Sequence, residues 1–227
     1  MLKQMYSIIE QYMLKCMNDS AHDCQHIYRV LYSVLDIAND FKEADMDVLI
    51  AASLLHDIGR DAQFRDPKCD HAVVGADMAF EFLESIGWDE NKANHVKACI
   101  ASHRYRSNNP PMSTEARILF DADKLDASGT LGIARTLAYN GIVSKPLYSV
   151  DNHGNVLAGD KEESPSFFKE YHWKLKKVYD KFYTDRAREI AESRRNSSLL
   201  FYENMFREVQ STHQIGIRLL KRSVNEE

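Results

Sequence analysis

The sequence predicts an all-α fold, and three observations support this class. Apolar residues recur three and four positions apart over most of the chain, which is typical of amphipathic helices. Repeated runs of alternating apolar and polar residues, which the strands of a sheet require, do not occur. Only five prolines and nine glycines lie among the 227 residues, and they mark the joints between periodic segments. An orthogonal bundle of helices follows from this pattern.

Three helices are predicted before residue 60. Helical spacing of the apolar residues places the first two over 2–17 and 22–41. Asp45 is a suitable N-cap for a third helix, because its carboxylate can accept hydrogen bonds from the first backbone N–H groups. This short apolar helix is expected to cover 46–58, and Gly59 marks its end.

Three further helices are predicted in the middle of the chain. The segments 71–86 and 89–102 keep the helical periodicity, and Gly87 separates them. A long helix is predicted over 113–140, because Ser113 and the two residues after it form a reasonable helix start.

The stretch 141–166 breaks the helical pattern and is expected to be a surface loop. Within it, the residues allow a small β-hairpin near 148–158, with Gly154 in the turn. Two C-terminal helices are then predicted near 166–193 and 197–220.

Composition and charge limit the classes of function. The chain has 44% hydrophobic and 28% charged residues, which is ordinary for a globular protein, and a net charge of −5. This charge gives no general attraction for nucleic acid or anionic membranes, so neither is an expected partner. No apolar run approaches the roughly 20 residues needed to span a bilayer, and no basic-then-apolar leader opens the chain. We therefore expect a cytoplasmic protein.

The dipeptide His56-Asp57 ends the short apolar helix and is the most informative local feature. Neighbouring residues of a helix point about 100° apart, so both side chains can reach one metal ion only at the helix end. Further ligands must then come from elsewhere in the chain. The candidates are a histidine of the pair His22 and His26 and an aspartate of the acidic run 121–126. Two imidazoles and two carboxylates suit a borderline or hard divalent ion.

This constellation resembles the HD superfamily of metal-dependent phosphohydrolases. One subfamily is matched in successive blocks over about residues 20–210, and it includes bacterial proteins that hydrolyse nucleoside triphosphates to monophosphate and pyrophosphate. The resemblance implies an HD-domain orthogonal bundle, which we predict as a single domain over 1–227. Its motif core would cover 22–127, and a C-terminal helical extension about 166–220. The matching blocks are 22–30, 55–61, 100–104, 114–117, 121–126, 132–135 and 171–175, with Thr184 and Arg188.

The resemblance also selects the metal ligands from the candidates. It implies one principal divalent ion, with Mn²⁺ favoured and Co²⁺, Ni²⁺, Zn²⁺, Fe²⁺ or Mg²⁺ as alternatives, while a second ion stays open. His22 is left as a supporting residue, and Asp121 and Asp126 are most simply read as solvated charges. The implied ligands are His26, His56, Asp57 and Asp123.

Three residues beside these ligands are candidates for a catalytic role. Arg60 follows the His-Asp pair, and its planar guanidinium can hold a phosphate. Asp61 could orient the attacking water or protonate a leaving oxygen, although an exposed turn aspartate is an equally good interpretation. Lys124 follows a ligand and could neutralise charge that develops on a bridging oxygen.

Four residues are candidates for substrate binding. His71 and His103 occupy positions at which some HD phosphodiesterases hold a second metal ion, but we favour substrate contact or proton transfer for both. Arg104 would add positive charge near the phosphates. Arg29 lies one turn beyond His26 and could instead support a ligand carboxylate.

We therefore predict a metal-dependent hydrolase that acts on small-molecule nucleotides, as a monomer or homodimer. The sharper hypothesis is cleavage of (deoxy)nucleoside triphosphates to monophosphate and pyrophosphate. The alternatives are a 5′-nucleotidase or phosphodiesterase of the same superfamily, and a non-catalytic module that senses a nucleotide or metal. Base and sugar preference are not visible in the sequence, because ordinary apolar and amide side chains build base pockets.

Overall fold

The computed structural model describes residues 1, 3–17, 24–104 and 109–224, and it confirms the all-α class. Helices account for most of these residues, and no strand is formed among them. Backbone contacts divide the chain into two compact units. The first unit combines Met1–Asp126 with Phe182–Ala187, and the second combines Ala127–Lys181 with Arg188–Glu227. The single domain over 1–227 stays a prediction.

The first unit is a helical bundle. Helix α5 packs on α6, α2 packs on α3 and α7, and α3 also contacts α1 and α6. His22 lies outside the described residues. The helices of this unit are α1 (Lys3–Cys16), α2 (Cys24–Ala38), α3 (Met46–Leu55), α4 (Arg60–Arg65), α5 (His71–Ser85), α6 (Glu90–Ser102) and α7 (Thr114–Leu125).

Helix α3 forms the centre of the first unit. Seven of its ten residues are buried, and they point in all directions around the axis, as in a helix surrounded by others. The predicted N-cap is present, because the carboxylate of Asp45 accepts hydrogen bonds from the N–H groups of Asp47 and Val48. The helix ends at Leu55 rather than at residue 58, so His56 and Asp57 lie in the turn that follows it.

The turn after α3 is held close to the start of α5 by two glycines. A Cβ atom on Gly59 would overlap with the carbonyl oxygen of His71 and the backbone nitrogen of Gly75. Gly59 therefore allows the two backbones to approach, although its φ of −83° is open to any residue. The short helix α4 begins directly after it and was not predicted, because six residues are too few to show a periodic pattern.

The predicted helix over 113–140 is wrong in one respect, because the chain breaks into two helices. Helix α7 starts as predicted, with the Ser113 hydroxyl accepting from the N–H of Ala116. It ends at Leu125, and α8 (Gly129–Ile142) begins after a short turn. Gly129 has a φ of +65°, a conformation that favours glycine and interrupts a helix.

The C-terminal prediction of two helices is also corrected. The segment after the loop forms α9 (Phe167–Trp173) and a 3₁₀-helix (Leu175–Asp180), and α10 (Asp185–Val224) then runs for 40 residues without a break. The predicted gap at 194–196 is helical, because the arginines and asparagine there lower helix propensity only slightly. None of the described helices is both long and apolar enough to cross a membrane.

The predicted hairpin of the second unit is reduced to a single bridge. Val150 and Val156 form an isolated antiparallel bridge, and Gly154 lies in the turn with a φ of +81°.

The second unit has an aromatic core. The rings of Tyr171 and Tyr202 are stacked with centroids 4.2 Å apart. The other buried members of this core are Ile133, Val156, Phe167, Phe168 and Leu175.

We predict that Gly59→Ala destabilises the protein by about 1–3 kcal/mol, because the added methyl group has no space against α5. Gly75→Ala is the matched comparison, since its Cβ would lie 3.1 Å from the Gly59 nitrogen and the helix gains from alanine. Urea unfolding measures both free energies. A loss for Gly59→Ala no larger than for Gly75→Ala would contradict the importance of this contact.

Candidate metal centre

Four predicted metal ligands come together inside the first unit. His26 lies on α2, His56 and Asp57 lie in the turn after α3, and Asp123 lies in the last turn of α7. His26, His56 and Asp57 are buried, and Asp123 is partly exposed. The centre is therefore made by three elements that are distant in sequence and closed on one side by the core.

The donor atoms lie at distances that one ion can bridge. The Nε2 atom of His26 is 3.3 Å from Nε2 of His56 and 3.3 Å from Oδ1 of Asp123. It is 3.4 Å from Oδ2 of Asp57, and Nε2 of His56 is 3.6 Å from the same oxygen. Bonds of about 2.0–2.2 Å to one ion place neighbouring donors about 3.0–3.6 Å apart. The set therefore fits a divalent cation.

Hydrogen bonds at the far side of each imidazole orient its donor nitrogen. Nδ1 of His56 is 2.7 Å from the carbonyl oxygen of Ser53. A carbonyl can only accept, so this nitrogen carries the hydrogen and Nε2 presents its lone pair to the centre. Nδ1 of His26 is likewise 2.7 Å from a carboxylate oxygen of Asp126. Such partners are typical of histidines that bind metal ions.

The carboxylates of the centre favour a positive charge among them. Burial by itself would lower the pKa of His26, but hydrogen bonds with Asp123, Asp126 and Asp57 outweigh it and raise this pKa to about 10. Burial lowers the pKa of His56 to about 4. Burial would raise the pKa of Asp57, but the charge of Arg60 and the neighbouring histidines keep it well below its usual range. A proton on His26 thus occupies the place where a metal ion would balance these carboxylates.

His71 and His103 form a second group around the other oxygen of Asp57. Oδ1 of Asp57 is 3.3 Å from Nε2 of His71 and 3.6 Å from Nε2 of His103. The Nδ1 atom of His103 is 2.6 Å from the carbonyl oxygen of Ile100, so its Nε2 also presents a lone pair. All three facing atoms are buried without a hydrogen-bond partner, and together they could hold a cation. The two oxygens of Asp57 therefore face two adjacent donor sets.

Two predicted arginines pair with carboxylates of the centre. Nε of Arg60 lies 2.8 Å from Oδ2 of Asp57, and the side chain is still 39% exposed. Arg29 binds Asp126 through two nitrogens, at 2.8 and 3.0 Å. Arg60 thus lies between Asp57 and solvent, whereas Arg29 supports a carboxylate that itself contacts His26.

Three other predicted residues have contacts away from the donor atoms. Asp61 pairs with Arg65 at 2.6 Å and is exposed. The ammonium group of Lys124 lies 4.5 Å from the ring centroid of Phe182. Arg104 pairs with Asp70 at 2.7 Å. Their roles in catalysis or binding stay predictions.

The comparisons with known proteins agree with this geometry. Residues 24–128 match the family model of the HD domain. This segment is therefore similar to HD domains. The curated Bacillus subtilis protein YpgQ is 29% identical over 195 residues, which cover 84% of this chain and 85% of YpgQ.

Solved structures share the fold over almost the whole chain. An HD-superfamily hydrolase from Bacillus thuringiensis has a TM-score of 0.67 at 26% identity, covering 91% of this chain and 97% of its own. A crystal structure of B. subtilis YpgQ in complex with ADP has a TM-score of 0.68 at 25% identity, covering 90% and 97%. A Lactobacillus plantarum protein has a TM-score of 0.74 at 23% identity, covering 93% and 99%, and shows the fold alone. The chain therefore has the fold of HD-superfamily hydrolases.

Two aspartates of the first unit have structural roles that the sequence did not indicate. Asp121 and Asp126 are buried, so their interpretation as solvated charges is wrong. Asp121 accepts hydrogen bonds from the backbone N–H groups of Tyr183 and Thr184. Asp126 joins His26 to Arg29. The spacing of Asp123 and Asp126 held a signal for this, since residues three apart share one face of a helix.

We predict that Asp126→Asn weakens metal binding by about 10–100-fold, because His26 loses the charged partner that orients it. Metal titration of the purified variant measures this affinity, and circular dichroism checks that helical content is kept. Asp77→Asn is the control, since it removes an exposed carboxylate that pairs only with Lys97 among the described residues. Equal affinities in the two variants would contradict the orienting role of Asp126.

Proposed function

We propose that this chain is a metal-dependent phosphohydrolase that acts on nucleotides. The observation that carries the proposal is the close approach of donor atoms from His26, His56, Asp57 and Asp123. Nε2 of His26 lies within 3.4 Å of a donor atom of each of the other three residues. An oxygen and nitrogen donor set of this kind suits Mn²⁺ as well as the other first-row divalent ions. A divalent ion in such a site acts as a Lewis acid on a phosphoryl oxygen and activates water.

The residues around the donor set would bind and orient the phosphates. Arg60 is tied to Asp57 through Nε and reaches solvent, so its guanidinium is suitably placed to contact a phosphate that enters the centre. Asp57 is then shared between the metal site and a cationic side chain, which fixes the position of the carboxylate. Lys124 lies one residue beyond Asp123, and we propose that its charge balances the leaving group as it departs.

We propose that His71 and His103 contact the phosphates or transfer a proton. Their Nε2 atoms are buried and lack hydrogen-bond partners. A protonated imidazole would donate a hydrogen bond from Nε2 to a phosphate oxygen, and a neutral one would accept a proton there. Asp61 is exposed and paired with Arg65, which makes it a weaker candidate for orienting water. Arg104 would contribute longer-range attraction for the substrate, since Asp70 already binds it.

The proposed reaction is hydrolysis of a (deoxy)nucleoside triphosphate to monophosphate and pyrophosphate. Positive charge from Arg60, Arg104 and Lys124 exceeds what one monoester phosphate requires, and it suits a chain of phosphates with a highly charged leaving group. The ADP in the related YpgQ structure supports a nucleotide as the ligand class.

A phosphodiesterase with two metal ions is the second candidate. The observation that favours it is the group of Asp57, His71 and His103, whose three facing atoms could hold a cation next to the first. Two adjacent ions can stabilise both the attacking and the leaving oxygen of a phosphate ester. The number of bound ions separates this candidate from the one-ion enzyme.

We predict that His56→Ala and Asp57→Ala each lose bound metal and hydrolysis while helical content is kept, because each removes a converging donor. Elemental analysis of the purified variants measures the metal, and His95→Ala is a control that changes a histidine outside the donor set. Chelation should abolish turnover of the wild type without unfolding it. Full occupancy in both variants would remove the proposed ligand set, and two ions per wild-type chain would favour the phosphodiesterase.

We predict that hydrolysis of a nucleoside triphosphate in ¹⁸O-labelled water places the label in the monophosphate. Attack on the α-phosphorus leaves the solvent oxygen on that product, and pyrophosphate departs unlabelled. Mass spectrometry of both products measures the label, with orthophosphate followed in parallel. Label in pyrophosphate would place the attack on the β-phosphorus, and release of orthophosphate from monophosphates would favour a 5′-nucleotidase.

A further inference from the structure

The second unit contains a groove of about 700 Å³ between the turn at 153–156 and the last part of α10. The helix contributes residues three and four positions apart, so they form one continuous face. The turn contributes His153, Gly154, Asn155 and Val156. The groove residues from α10 are Gln210, His213, Gln214, Ile217, Arg218, Lys221 and Arg222.

The wall of the groove opposite α10 is a well-defined turn. The carboxylate of Asp151 accepts hydrogen bonds of 2.8 Å from the backbone N–H groups of both His153 and Asn155. A Cβ atom on Gly154 would lie 2.9 Å from Cδ1 of Ile217, so the glycine allows the turn to approach the helix. On the helix side, the hydroxyl of Tyr148 lies 3.0 Å from Nε2 of His213. Apolar contacts and hydrogen bonds thus hold both walls in place.

The groove is positively charged, and none of the described residues that line it is acidic. Lys221 and Arg222 lie three and four positions after Arg218, so each is a like-charged neighbour of Arg218 on the helix. None of them forms an ion pair with a carboxylate in the part of the chain that the structure describes. The groove therefore carries an excess of positive charge, although the whole chain has a net charge of −5. A bound anion would relieve the repulsion between the three cations.

We propose that this groove binds a small anion that carries two or more phosphate groups. Arginine and lysine side chains together bind phosphate oxygens well, and the amides of Gln210, Gln214 and Asn155 can add hydrogen bonds. The volume of about 700 Å³ lies within the roughly 300–1,000 Å³ typical of small-molecule sites. The cationic side chains line a concave surface, and the overall negative charge opposes an extended polyanion. Both features favour a small ligand over nucleic acid or a membrane.

The test is calorimetric binding of pyrophosphate to the full chain in the presence of a chelator. Arg218→Gln/Lys221→Gln should weaken this binding at least about tenfold, because charge-assisted hydrogen bonds are lost. The matched control is Arg207→Gln/Lys174→Gln, which removes two exposed charges of the second unit from outside the groove. It should change the affinity by less than about twofold. Orthophosphate should bind more weakly than pyrophosphate to the wild type.

Several results would overturn the proposal. These are no binding of pyrophosphate to the wild type, an equal loss in the groove variant and the control, or equal affinities for orthophosphate and pyrophosphate. Association with anionic vesicles or RNA that depends on Arg218 and Lys221, without pyrophosphate binding, would assign the cations to a macromolecular surface instead. Circular dichroism confirms that both variants stay folded, since all four substituted residues are exposed.

Discussion

The buried carboxylate of Asp57 is the group around which the donor atoms of the first unit are arranged. It is 2% exposed, and a carboxylate in such a place is stable only when positive or hydrogen-bonding partners surround it. One oxygen faces His26, His56 and Arg60, and the other faces His71 and His103. These partners come from α2, the turn after α3, the first residues of α4 and α5, and the residue that follows α6. The same helix packing therefore satisfies this buried charge and assembles the candidate metal centre.

The turn that carries Asp57 depends on a close approach between backbones. Gly59 lets the turn touch the start of α5, and this contact brings His71 toward Asp57. Helix α3 is buried almost completely, so its end has little freedom to shift. A centre that must hold donor atoms within a few tenths of an ångström benefits from such a rigid base.

Three aspartates of α7 and its C-cap have identical side chains but different roles, because each contacts different neighbours. Asp123 points its carboxylate at His26 and joins the donor set. Asp126 contacts the other nitrogen of His26 and is held by Arg29, so it acts through a ligand rather than as one. Asp121 points elsewhere and binds the backbone just before α10 begins. The groove of the second unit shows the opposite case, in which no carboxylate is found among the described lining residues and an external anion would complete the proposed site.

The amino-acid sequence by itself determined the helical class, most helix positions in the first unit and the pair His56-Asp57 as candidate metal ligands. These features are local, because periodicity, caps and adjacent ionisable residues are visible within short segments. The resemblance to a known family was needed to select His26 and Asp123. Only the tertiary structure decided that α7 and α8 are separate, that α10 is continuous and that Asp126 is buried beside His26. Such features depend on which face of a helix meets another part of the chain, and no short segment carries that information. A side chain takes part in a site only when packing places a suitable partner next to it.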